Sequence, residues 1–270
     1  GQLGFQSVVW TQLGVKIGLW VAYALLMALT GFVSAWLAIR ARPDSADGST
    51  IRINGDVVEV GKSVSSKTAR RVAVVISLIV GVIFGSQFNA NWSEILLMFN
   101  AQSFGTTDPQ FGLDNGFYVF VLPGLKLVLA AVAMLLGVGL VFSVVTHVLM
   151  GGIRITMPVN GRGLFSITKR CRRQLGIWLM LNMFAWAVRQ MIGVFDQLTV
   201  QGSRITGASY TAVHANIPVT FIMAALTAIL GVVLGIWLMR SHTLEGQASI
   251  GVRASAPRQA RRVPVTSIAV

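Results

Sequence analysis

Long apolar runs without charge constrain this chain more than any other feature. Ile17 to Ile39 is 23 residues with no charged side chain. About 20 such residues span the hydrocarbon core of a bilayer as a helix. Four further apolar runs follow: Val72 to Phe88, Leu127 to Met150, Leu175 to Val194, and Val219 to Met239, of which only Leu175 to Val194 carries a charge, Arg189. Every backbone amide in lipid needs a partner within the protein, so an open strand is excluded and each run is predicted to be a helix. The expected fold class is all-α: a polytopic transmembrane bundle with five spans across residues 1–262. Composition agrees, with 54% hydrophobic and 11% charged residues and a mean hydropathy of +0.71. A soluble domain carries about 25% charged residues.

The net charge of +13 suggests nucleic acid when taken alone. Its distribution argues otherwise. Eighteen of the 22 lysines and arginines fall in Arg40 to Arg71, Gly151 to Gln174, and the tail from Arg240. Four lie on the other side: Lys16, Lys126, Arg189 and Arg204. Basic residues concentrate in cytoplasmic loops. This asymmetry puts the start of the chain outside and the tail in the cytoplasm. No nucleic-acid partner is expected.

Between the spans the sequence carries local signals. Asn54-Gly55 between Ile51-Arg52-Ile53 and Asp56-Val57-Val58 is a hairpin signal, because a type I′ turn needs positive φ at two residues. Asn91 with Glu94 three residues on resembles a capping box, and Trp92 to Phe99 is expected to be a short helix at the outer interface. Gly105, Asp108-Pro109, Gly112 and Gly116 mark turns. Phe117, Tyr118 and Phe120 suit an interfacial belt. The outer loops at 89–123 and 196–218 are expected to pack together as an ordered cap, with Asp108, Asp114 and Tyr210 as structural residues.

Chemistry-bearing residues are sparse. Gly81 and Gly85, and Gly231 with Gly235, form small-residue faces that let helices approach closely in lipid. Packing within the bundle is preferred over a dimer interface. Within the runs the ionisable residues are Arg189, placed to reach the outer interface, and His147, in the last turn of the third run. Asp196 lies two turns beyond Arg189. No carboxylate falls in any run, which argues against a proton- or sodium-coupled transporter. The three histidines have no paired zinc spacing, and no cofactor or metal is expected. Lys169, Arg170, Arg172 and Arg173 form a basic cluster expected to face anionic phospholipid at the cytoplasmic surface. Cys171, within it, reads as a surface thiol.

Several strings also carry a resemblance. They are Trp10-Thr11-Gln12-Leu13, the loop Phe104 to Asp114, Phe117-Tyr118-Val119-Phe120, Leu122-Pro123, Thr146-His147, Gly151-Gly152-Ile153-Arg154, and Gly207 to Ala215. Together they resemble Uncharacterised Protein Family 0182, large bacterial multi-pass membrane proteins of actinobacteria. The resemblance implies a helical membrane region followed by a large extracytoplasmic domain, with no assigned activity. It also implies an acidic residue where this chain has Ala212, which argues against a charged site there. Residues 263–270 are apolar and follow the basic tail, so they are expected to begin a further span. The leading expectation is a non-enzymatic module that anchors or assembles an extracytoplasmic domain. The alternatives are a channel or transporter for a lipid or uncharged solute, and a membrane enzyme whose catalytic groups lie elsewhere in a longer chain.

Overall fold

The computed structural model describes residues 6–41, 50–53, 56–59, 65–155, 165–199 and 207–241. Among them are six α-helices: α1 (Gln6–Arg40), α2 (Ser66–Ala90), α3 (Trp92–Phe99), α4 (Leu122–Leu149), α5 (Lys169–Gly193) and α6 (Ile217–Arg240). Five helical segments are long and apolar enough to cross a membrane. They cover the five apolar runs to within two residues and mostly extend beyond them, α1 by eleven residues at its start. A helix ends where its backbone bonding ends, and polar residues at its tips keep that bonding outside the apolar layer.

Two of these helices begin in the same unusual way. A π turn at Phe117–Val121 precedes α4, and another at Ala212–Asn216 precedes α6. In each, the N–H of the next residue reaches five residues back, Leu122 to Phe117 O and Ile217 to Ala212 O. Pro123 and Pro218 follow directly in the first turn. A proline lacks the N–H for the α-helical bond and crowds the carbonyl four residues back, so a widened turn before it resolves both problems.

Glycine sets the spacing of the helix pairs. α1 runs along α2, and α5 along α6, while α4 joins the two pairs. A Cβ on Gly81 would lie 2.5 Å from Ala24 O of α1, and one on Gly85 2.9 Å from the Trp20 ring. Gly231 and Gly235 of α6 meet Met183 and Met180 of α5 with no room for a side chain, and Gly139 of α4 meets Trp178 in the same way. In lipid, such contacts supply the packing energy that the hydrophobic effect supplies in water. The opposite faces of the helices are bare. Leu25, Leu29, Ile79, Ile83, Leu226 and Ile229 are all more than half exposed. So broad an apolar belt is foreign to a soluble monomer.

Strands Thr50–Ile53 (β1) and Asp56–Glu59 (β2) pair antiparallel, with Ile53 opposite Asp56. The turn residues Asn54 and Gly55 lie outside the described residues. A second antiparallel pair, Ile153–Ile155 (β3) with Phe165–Ile167 (β4), was not expected. α3 occupies the expected residues, but no side-chain hydrogen bond from Asn91 caps it. Residues 263–270 lie outside the described residues.

The packing gives a direct expectation. Gly81→Ala should destabilise the protein by about 1–3 kcal/mol, the usual range for overpacking. Gly14→Ala, which meets nothing within 4 Å, should not destabilise it. Thermal unfolding of both variants in detergent checks this.

Candidate functional site

One end of the bundle is closed by a folded loop, residues 101–116, built around two carboxylates. Asp108 Oδ1 accepts hydrogen bonds from the backbone N–H groups of Gln110 (2.8 Å) and Phe111 (2.7 Å). Its Oδ2 accepts from Leu113 N–H (3.0 Å) and from the Tyr118 hydroxyl (2.7 Å). Asp114 accepts from the Ser103 hydroxyl (2.5 Å) and from the N–H groups of Phe104, Gly105 and Gly116. Short backbone bonds, such as Asp108 N to Leu113 O at 2.9 Å and Asn115 N to Thr106 O at 2.8 Å, zip the loop between the carboxylates. Gly105 and Gly112 hold positive φ (69° and 67°) at the two bends, where a side chain would be strained.

These bonds set the ionisation of both carboxyls. Burial opposes the charge of Asp108, but hydrogen bonds from Phe111, Tyr118, Leu113 and Gln110 outweigh it and hold its pKa below the usual value. The Ser103 hydroxyl, aided by backbone N–H groups, lowers that of Asp114 to about 2.

The loop is pinned to the far end of α5. Phe195, in the 3₁₀ turn Val194–Leu198, takes edge-to-face contacts from Phe111 (5.0 Å), Phe117 (5.5 Å) and Tyr118 (6.4 Å). Asp196 pairs with Lys126 at the start of α4 (2.9 Å). A recess of about 520 Å³ between this loop and the segments at the end of α5 and the start of α6 is lined by Asp108, Asn115 and Tyr118 on one side and by Leu198, Gly207 and Val213 on the other. Tyr210 takes no part in this framework. It is 78% exposed and stacks on His214 (4.0 Å), one turn along the same segment.

Below the loop a cleft of about 760 Å³ opens between α4 and α5, with Tyr23 of α1 at its floor. The Tyr23 hydroxyl donates to Ala131 O (3.1 Å). Asn182 donates to Leu136 O (3.1 Å) and to its own helix at Trp178 O (2.8 Å), tying α5 to α4. Ala130, Met134 and Leu179 make the walls apolar, while Asn91, Arg189 and Gln190 stand at the end nearest the loop. Gln190 donates to Thr227 Oγ1 of α6 (3.4 Å). Arg189 is exposed, and among the described residues it has no carboxylate partner.

The opposite end holds a buried polar chain. His147, 1% exposed, bonds through Nε2 to Gln174 Oε1 (3.0 Å), and Gln174 donates to Ser34 O of α1 (2.9 Å). The Ser34 hydroxyl in turn donates to Gly139 O of α4. Gly152 leaves room for the imidazole, since a Cβ there would lie 2.6 Å from Nδ1. His147 sits in the last turn of α4, as expected, and through Gln174 it is tied to α5 and α1. Gln174 and Ser34 were missed in the sequence, because a single polar residue at the edge of an apolar run has no spacing that marks it.

The basic cluster at the start of α5 does not share one face. Lys169, Arg170 and Arg173 are exposed, but Arg172 is 1% exposed and faces the bundle interior, so it is not lipid-facing. Cys171 is fully buried, not a surface thiol. Adjacent positions of a helix point about 100° apart, so a run of five basic and neighbouring residues cannot share one face. Among the described residues no group of three or more His, Cys, Asp or Glu could hold a metal ion.

The sequence model of one family, the uncharacterised protein family UPF0182, matches residues 1–260. The chain belongs to this family. It is 98% identical over its whole length to a UPF0182 protein of Bifidobacterium longum. It is 75% identical over 99% of its length to one of Bifidobacterium adolescentis, and 35% identical over 87% to one of Kocuria rhizophila. The chain spans about a quarter of the length of these curated relatives, 25%, 25% and 23% respectively. No solved structure matches it.

The carboxylate-built loop predicts a specific response to acid. A carboxyl with a depressed folded pKa contributes stability that is complete above its unfolded value, near 4, and lost as pH falls through the folded value. Stability from Asp114 should therefore hold down to about pH 4 and fade toward about pH 2. Asp108→Ala should cost about 1–3 kcal/mol at neutral pH, through four orphaned hydrogen bonds. Amide exchange across residues 103–118 as a function of pH reads both effects.

Proposed function

We propose that this UPF0182 chain is the helical membrane base of a longer bacterial envelope protein, and that it anchors and helps assemble a large extracytoplasmic domain. The observation that carries the reading is the rigid loop: two carboxylate knots and an aromatic cluster fix one end of the bundle, a level of order that a mere tether does not need. The match to a quarter of much longer relatives agrees with a part that serves a whole. In this reading the protein lies in the plasma membrane with the carboxylate-built cap outside and the tail after Arg240 in the cytoplasm. The short helix α3 lies at the outer interface, and the β1–β2 pair lies at the cytoplasmic surface. The module itself carries no catalysis. Lys169, Arg170 and Arg173 meet anionic phospholipid at the cytoplasmic face.

A second reading is favoured by one observation. The cleft between α4 and α5 is open at its side and large enough for a small ligand. A channel or transporter for a lipid or an uncharged solute would use such a cleft. A flux assay with the full-length protein in liposomes separates the two, since an anchor moves nothing.

Topology decides the first reading. Single cysteines at Gln110 and Asn160, in a Cys171→Ser background, should react oppositely with an impermeant thiol reagent in intact cells: 110 labelled, 160 protected. Protease added to right-side-out vesicles should release a large soluble fragment of the full-length protein. Release from inside-out vesicles alone would place that domain in the cytoplasm and overturn the reading.

A further inference from the structure

We infer that the cleft between α4 and α5 is a binding site for one anionic phospholipid of the leaflet on the cap side, with the headgroup phosphate held at Arg189 and an acyl chain lying along the cleft. The inference rests on the reading that the five helices span a membrane, and not on which side the cap faces.

The length of the cleft fits one leaflet. Its lining on α5 runs from Leu179 to Gln190, and on α4 from Leu127 to Leu140. At 1.5 Å per residue these are about 17 and 20 Å. Half of a hydrocarbon core is about 15 Å. The cleft is therefore about as long as one leaflet is thick, the span that one acyl chain covers. Its volume of about 760 Å³ lies within the range of small-molecule sites.

The chemistry changes along the cleft as a lipid changes along its length. The deep part is apolar, with Leu140, Leu179, Met134 and Ala130. The polar groups there are already engaged, Tyr23 with Ala131 O and Asn182 with Leu136 O, so they present little to repel a chain. At the mouth stands Arg189. The nearest acidic side chain along α5 and its extension, Asp196, is held by Lys126. Among the described residues no carboxylate neutralises Arg189. A guanidinium at the interface with free donors fits a phosphate better than any other common membrane group, because its planar fork matches two phosphate oxygens. Trp186, 61% exposed on the cleft rim one turn before Arg189, adds an aromatic side chain of the kind enriched at the interfacial level. Charge complementarity thus selects a lipid over a second apolar helix as the occupant, since a helix would leave the guanidinium without an anion.

The test uses the full-length protein in phosphatidylcholine nanodiscs doped with phosphatidylglycerol bearing a photoreactive acyl chain. Cross-links are mapped by mass spectrometry. The expected result is labelling concentrated on cleft residues of α4 and α5. Arg189→Gln should reduce that labelling about tenfold, the effect of losing one charge-assisted contact. Arg189→Lys should keep most of it, and Arg71→Gln, an exposed cation near the start of α2, should leave it unchanged. Ala130→Trp should block the cleft and abolish labelling there. Thermal unfolding in detergent identifies any variant that fails to fold, and Arg189→Lys then carries the comparison. Equal labelling by a photoreactive phosphatidylcholine, insensitivity to Arg189→Gln, or labelling spread evenly over the outer helix faces would each overturn the site. An unlabelled cleft would do so as well, and would mean that another part of the full-length chain fills it. A protein extracted from membranes by alkaline carbonate would instead defeat the spanning reading itself, so the two failures are distinguishable.

Discussion

The closeness of two helix pairs governs the rest of this structure. In lipid, apolar side chains gain nothing by leaving one apolar medium for another, so helices associate through dense contact and through polar bonds. Gly81 and Gly85 let α2 lie against the backbone of α1, and Gly231 and Gly235 let α6 lie against the methionines of α5. Each pair is then a rigid unit. α4 packs against α1 and α5 and so couples the units, with Gly139 accepting the Trp178 ring. The cleft exists because this coupling is close at one end and looser at the other. Near Gly139 and His147 the helices are drawn together by a glycine and by the bonds through Gln174, whereas nearer the cap Asn182 spans the gap.

Polarity is handled differently at the two ends. At the cap, carboxylates are satisfied mainly by backbone N–H groups, with one hydroxyl each, so a loop with little regular structure still holds one conformation. At the other end, neutral groups bridge helices: imidazole to amide, amide to carbonyl, hydroxyl to carbonyl. Charge at the cap is held by hydrogen bonds to its ionised form, and the helix interior is joined by groups that cost less to dehydrate. Arg172 departs from this pattern as a buried cation.

The sequence disclosed the helices because span length and lack of charge are set by the bilayer and need no knowledge of neighbours. It disclosed the small-residue faces for a similar reason, as Gly81 and Gly85 recur at the spacing of one helical turn. The π turns were hidden, since Pro123 and Pro218 signal a helix start and not the widened turn before it. Arg172 and Cys171 were misread because a run of adjacent residues says nothing about which of them faces inward. That depends on the rotation of α5, which Gly176 and its packing on Gly235 and Met239 set. Asp108 and Asp114 were legible as turn residues, but their bonds to Tyr118 and Ser103 depend on the fold of the loop. The cleft lay beyond sequence reading altogether, since it is a space between three helices.

The bond from Gln174 to Ser34 joins residues 140 positions apart. In synthesis from the N-terminus, α1 and α2 are complete long before Gln174 is added. The Ser34 carbonyl, already inside the α-helical ladder of α1, gains its side-chain donor only then. The tie of α5 to α1 therefore waits on a residue made after half the segment, and α1, α2 and α4 all precede it along the chain.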